Sequence, residues 1–199
     1  MIEFQPFPKL PRISRGSVIT EKLDGTNAQI IIRKLQHETP LDGEYHRAAG
    51  DVLNGEVYII GAGSRSRLIK PGKLTDNFGF AQWVWDNADE LVKLGEGRHF
   101  GEWYGNGIQR GYGLSERRFA LFNTHRWAPG TTPKCVGVVP TLYRGEFSSE
   151  MVDHCMRILA AGGSQAAPGF KDPEGIVIYH EAARVSFKKT FDDQHKEAA

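Results

Sequence analysis

Two short runs rich in β-branched residues, Val18-Ile19-Thr20 and Ala28-Gln29-Ile30-Ile31-Ile32, enclose the polar stretch Glu21-Lys22-Leu23-Asp24-Gly25-Thr26-Asn27. Runs of that length and composition read as strands. Asp24-Gly25 between them reads as a turn. A lysine thus sits at the end of a strand that the apolar pattern buries. Partial desolvation there disfavours the ammonium and frees the amine as a nucleophile. Glu21 and Asp24 are close enough to orient either the ammonium or a substrate. As acidic neighbours alone, they would raise the lysine pKa.

The 199 residues are 40% hydrophobic and 11% aromatic, which suits a globular chain with a sizeable core. A formal net charge of +1 excludes a bulk basic surface, so any nucleic-acid contact must come from local patches. Two cysteines, Cys135 and Cys155, make neither a disulfide framework nor a metal knuckle. No signal-peptide pattern opens the chain and no run of 18 apolar residues occurs. These features lead us to expect a soluble protein of a reducing, cytoplasmic compartment, with no membrane partner.

The remaining elements follow in order. Residues 1–17, rich in proline and arginine, read as an extended arm. Residues 33–51 read as irregular, and a strand is expected from Val52 to Ile60. The loop Gly61–Arg67 offers Arg65 and Arg67 to a phosphate or carboxylate. Apolar spacing predicts one helix over 75–94, capped by Asp76 or Thr75 and ended by Gly95, with its tryptophans in the core. Glu102 lies in a glycine-bounded aromatic strand, where a carboxylate needs a partner. The loop 106–113 reads as flexible and basic. Strands are expected at 118–123 and 138–145, and a helix from Ser148 to about Leu159. Cys155 falls on its apolar stripe as a packing residue. Glu174 stands directly before Gly175 and an apolar strand, where a carboxylate can hold Mg2+ beside phosphates.

The string Glu-Lys-x-Asp-Gly-Thr-Asn resembles the nucleotidyl-lysine motif of the covalent nucleotidyltransferases, the superfamily of RNA ligases, DNA ligases and mRNA capping enzymes. Later stretches resemble that superfamily's other motifs in the right order, over residues 18–190. The resemblance implies an α+β fold of the nucleotidyltransferase (ATP-grasp-like ligase catalytic) type, with antiparallel sheets flanked by helices and the nucleotide between the sheets. It implies that Lys22 carries AMP covalently and that Asp24 belongs to the same catalytic motif. Arg65, or else Arg67, would lie near the ribose and the strand end. Glu102 would accept from the ribose, and Phe122 would stack on the purine, although Asn123 replaces the usual aspartate. Glu174 would be the metal-site residue and Lys188 would reach the α-phosphate. Ser186 stands where many relatives have a first lysine, with Lys189 or Arg184 as possible substitutes. Asn27 matches the double-strand-repair type of RNA ligase, where most DNA ligases have arginine. Glu21 and Lys189 complete the expected nucleotide-binding set.

The implied cofactors are ATP and Mg2+ or Mn2+, and the implied partner is nicked or broken RNA. Residues 1–199 read as one catalytic domain without an appended oligonucleotide-binding barrel or helical domain. A DNA nick ligase is the alternative that shares this chemistry. An mRNA guanylyltransferase would need GTP, and a non-catalytic nucleotide- or RNA-binding module would not need Lys22.

Overall fold

A computed structural model describes residues 2–35, 43–51 and 55–192. The described strands form two sheets. The small one has the order β11-β10-β1-β9, and the large one runs β3-β4-β2-β6-β7-β8, with the short β5 beside β4. Here β1 is Gly16–Lys22, β2 Thr26–Lys34, β3 His46–Asp51, β4 Glu56–Ser64, β5 Leu68–Ile69 and β6 Gly97–Gly105. β7 is Arg117–Leu121, β8 Val136–Val138, β9 Thr141–Glu146, β10 Gly175–His180 and β11 Val185–Thr190. All pairings are antiparallel except β7 with β8.

The expected strand–turn–strand is present, but its two strands belong to different sheets. β1 ends at Lys22 in the small sheet and β2 begins at Thr26 in the large one. The motif is therefore the hinge line between the sheets. Gly25 is required there, because a Cβ would collide with the Trp103 carbonyl.

Alternation along β2 sends Ala28, Ile30 and Ile32 into a core shared with Phe80, Val84 and Leu91. Each such buried aliphatic side chain contributes about 1.5–3 kcal/mol. Trp83 packs there against Phe80, Trp103 and Phe119, as expected of a core tryptophan. The single helix expected over 75–94 is instead α1 (Phe80–Asp86), α2 (Ala88–Leu91) and a 3-10 turn, Val92–Leu94. Asn87 breaks the run, its side-chain amide donating back to the Trp83 carbonyl. Asp76 does serve the helix start, accepting from the Ala81 and Gln82 amides.

A second core joins Ile19, Ile176 and Ile178 of the small sheet to α3 (Ser149–Gly162) through Val152, Cys155, Met156 and Leu159. Ser148 caps α3 at the Met151 amide, and Cys155 is a packing residue. A third cluster of Leu23, Tyr104, Tyr112, Ala120, Val139 and Ala167 lies beside the hinge line.

Three expectations need correction. Residues 46–51 are not irregular, because they pair with β4. The strand expected at 52–60 runs on to Ser64, since Gly61, Ala62 and Gly63 pair with β2; residues 52–54 lie outside the described ones. The strand expected at 138–145 is two strands, split at Val139-Pro140, and they serve different sheets. No helix among the described residues is long and apolar enough to cross a membrane.

Candidate active site

Val18, Thr20 and Lys22 alternate onto the face of β1 that lines a cleft of about 750 Å3 between the sheets. Ile19 points the other way, toward α3. Lys22 Nζ donates to Glu174 Oε2 at 2.6 Å, with side chains 24% and 15% exposed. Register explains the meeting, because Lys22 pairs with Gly175. Glycine is needed at 175, where φ is 150° and a Cβ would collide with the Lys189 carbonyl. Burial pushes the Glu174 carboxyl up, against the pull of Lys22.

Glu102 faces the same cleft from β6, opposite Asn27 of β2. Burial pushes its carboxyl up to about 7. Lys22, the Gly25 amide and Arg65 oppose that shift, and Glu174 adds to it. Arg65, exposed just beyond β4, lines the cleft. Arg67 is exposed nearby but is not a lining residue; its carbonyl accepts from Ser64.

Phe122 lines the cleft one residue beyond β7 and is 39% exposed. Asn123, at the departure from the usual aspartate, accepts from the His125 and Arg126 amides and so shapes the following turn. Lys188 pairs with Val177, a cleft-lining residue, and therefore shares its face with Ser186. Lys189 is on the opposite face, where its ammonium meets Asp153 of α3 at 2.8 Å. That placement removes Lys189 from the expected nucleotide-binding set. Arg184 sits in the β10–β11 turn, its amide donating to the His180 carbonyl.

Glu21, between Thr20 and Lys22 at the cleft, has its carboxylate engaged elsewhere. Its Oε2 accepts from the Gln165 and Ala166 amides at 2.8 and 3.1 Å, and burial raises its pKa. Its Oε2 thus organises the segment after α3, while the residue itself borders the cleft. Asp24 engages Arg110 at 3.1 Å, and its amide donates to Tyr112 Oη at 2.7 Å. Arg110, 17% exposed, also holds Asp172 and Asp192 at 2.6 and 2.7 Å. The loop expected to be flexible is therefore a clasp on the turn that follows Lys22. The sequence carried no sign of it, because the acidic partners are 62 to 86 residues away.

Arg144 was likewise missed. It pairs with Val18 in register and donates to the Thr124 carbonyl at 3.0 Å, tying the two sheets at the far end of the cleft. Among the described residues no group of three or more His, Cys, Asp or Glu side chains could cage a metal. Two carboxylates, Glu174 and Glu102, do lie within electrostatic reach of each other and of Lys22. That set suits a hard cation that takes its other ligands from phosphate and water.

Over residues 16–191 the chain matches the model of the RNA ligase family. The chain belongs to the RNA ligase family. No curated protein sequence matches it. Its fold is similar to solved structures of a Naegleria gruberi RNA ligase. One, a lysine variant with ATP and Mn, is 17% identical with a TM-score of 0.56, covering 92% of this chain and 51% of that one. Another lysine variant, with AMP and Mn, is 18% identical with a TM-score of 0.56, covering 93% and 52%. A glutamate variant with ATP and Mn is 21% identical with a TM-score of 0.55, covering 93% and 52%. The chain spans about half the length of these ligase structures. At such identity the likeness speaks for the fold, while the ligase family itself rests on the match over 16–191.

Proposed function

We propose that this chain carries ATP-dependent RNA ligase chemistry through a lysyl-AMP intermediate. The observation that carries the reading is Lys22 at a strand end, held by Glu174 in a cleft between two sheets, in a chain of the RNA ligase family. Lys22 Nζ, once released from Glu174 and deprotonated, attacks the α-phosphorus of ATP. A P–N bond forms, the bond to the bridging oxygen breaks, and pyrophosphate leaves. A 5′-phosphate oxygen of the RNA then displaces Lys22 from the adenylyl phosphorus. Finally a 3′-hydroxyl attacks the activated 5′-phosphate and AMP leaves.

The residues around Lys22 fit those demands. Lys188 projects from the cleft face of β11, where a cation would meet phosphate. Phe122 offers a half-exposed ring for a purine. Glu102, its carboxyl pushed up to about 7, presents a group that either accepts or donates a hydrogen bond to ribose near neutral pH. Arg65 borders the cleft where an RNA end would approach. The N. gruberi ligase structures hold ATP or AMP with Mn, and Glu174 with Glu102 would hold Mg2+ or Mn2+ here. Such an ion, when bound, supplies neutralisation of phosphate charge. A role for Asn27 beside the ribose follows from its place opposite Glu102.

Incubation with ATP and Mg2+ followed by intact-mass spectrometry tests the reading. One added adenylyl group is expected on the wild-type chain and none on Lys22→Ala. Matched all-RNA and all-DNA nicks then separate the substrates. An adduct that persists in Lys22→Ala would move the nucleophile elsewhere, and no adduct with any nucleotide would overturn the proposal.

A further inference from the structure

The face of the large sheet that lines the cleft continues past it, toward Arg33. Alternation that buries Ala28, Ile30 and Ile32 turns Gln29, Ile31 and Arg33 to the opposite face. Register extends that face across the neighbouring strands. Gly63, Gln29 and Phe100 make one row, and Gly61, Ile31 and Arg98 make the next. Arg33, Arg98 and Phe100 are exposed, the last to 48% despite its ring. Glycine at 61 and 63 keeps the β4 positions low.

Four arginines, Arg33, Arg65, Arg67 and Arg98, border this face against two carboxylates, Glu102 and Glu96; Glu96, just before β6 and opposite Arg33 in register, has its carboxylate on the Lys34 amide. Among the outward strand positions of β2, β3, β4 and β6 the only carboxylate is Glu102, at the cleft end. Arg33 lies diagonally from Arg98 across the β2–β6 pair, about 7–8 Å away at the backbone. Arg65 and Arg67 stand exposed in the turn just past β4. Arg65, Arg98 and Phe100 also line the cleft. The basic surface is therefore continuous with the chamber that holds Lys22.

We propose that this face, from Arg33 through Arg98 and Phe100 to Arg65, is the track on which the RNA beside the break lies. The proposal rests on the ligase reading for its partner and extends it along the cleft face of the large sheet as far as Arg33, which lies outside the cleft lining. Guanidinium groups hold phosphates and release counterions. An exposed ring on a sheet can stack on the base-pair face left open at the break without demanding one sequence. A chain with net charge of only +1 must concentrate its cations to grip RNA, and this face does so.

Binding of a 5′-phosphorylated nicked RNA duplex, followed by fluorescence anisotropy without ATP over a range of salt, tests the track. Arg33→Glu, outside the cleft, is compared with Arg157→Glu on the exposed side of α3, which makes the same charge change elsewhere. Arg33→Glu is expected to weaken binding about tenfold and to reduce the salt slope by about one. Arg157→Glu is expected to stay within about twofold of wild type, since it touches no phosphate in this arrangement. Arg33→Gln should show a smaller loss in the same direction, which guards against a disturbed strand. Both charge reversals should form the Lys22 adduct with ATP as the wild type does. Wild-type binding by Arg33→Glu, or an equal loss in Arg157→Glu, would overturn the track. Absence of the adduct in the wild type would instead count against the ligase chemistry, because the binding assay does not depend on it.

Discussion

Glu102 enters the cleft opposite Asn27, and burial holds its carboxyl near 7 against an ordinary value of 4.5. In the unfolded chain the group ionises near 4.5, so between about 4.5 and 7 the folded state binds the extra proton. Stability contributed by this group is therefore fully present below that window, falls as pH rises through it, and stays lower above it. Glu102→Gln is expected to flatten part of that fall and to raise stability at pH 8, by at most about 3 kcal/mol at about 1.4 kcal/mol per pKa unit. Urea unfolding at several pH values between 4.5 and 8 measures it. An unchanged slope would show that Glu102 ionises as freely as in water. Glu21 and Glu174, also raised by burial, keep the fall from vanishing. At this scale the sequence was informative about which residues matter and less so about where they point. Lys22, Glu102 and Glu174 were legible because each stands at a glycine-marked strand end or within an aromatic strand. The hold of Glu21 on the Gln165 and Ala166 amides and of Lys189 on Asp153 was not, because those partners are distant in sequence. Only the register shows that Lys22 meets Glu174 at the cleft and that Lys188 shares its face with the cleft-lining Ser186.

The clasp is the element whose role the sequence concealed. Its loop carries Gln109 and Tyr112 at positive φ, a conformation that non-glycine residues hold only when their surroundings enforce it. Those surroundings are the Arg110 contacts to Asp24, Asp172 and Asp192 and the Tyr112 contact to the Asp24 amide. Asp172 lies two residues before Glu174, so one guanidinium fixes both sides of the Lys22–Glu174 pair. Arg110→Ala leaves three carboxylates facing one another. We expect it to cost about 1–3 kcal/mol, dominated by the half-buried Asp24 contact, since the other two acids are exposed. Formation of the Lys22 adduct should fall by more than the folded fraction does. Arg110→Lys should not restore it, because an ammonium cannot reproduce the planar fork. Thermal melts beside adduct rates decide the matter, and adduct loss that merely tracks unfolding would reduce Arg110 to a structural tie. Other element-level misreadings have the same origin in distant contacts. Gly61-Ala62-Gly63 looks like loop until β2 is seen beside it, and Val139-Pro140 looks like strand interior until its flanks separate into two sheets.

On the scale of the whole molecule, the proposed nucleophile and the carboxylate that holds it come from opposite ends of the described chain. Lys22 and Glu174 are 152 residues apart, and Lys188 comes later still. β1 is flanked on one side by β9 and on the other by β10. A chain ended at residue 170 would keep Lys22, Asp24, Arg65 and Glu102 but lose β10 and β11. It is expected to form no adenylyl adduct by mass spectrometry. An adduct on the shortened chain would show that Lys22 reacts without the β10 side of the small sheet. Synthesis proceeds from the amino terminus, and pairings this remote form late and slowly. During translation Lys22 leaves the ribosome long before Glu174 exists. The half-made protein thus has Lys22 without the chamber that would aim it, and on the proposed chemistry adenylylation waits until β10 and β11 have been made.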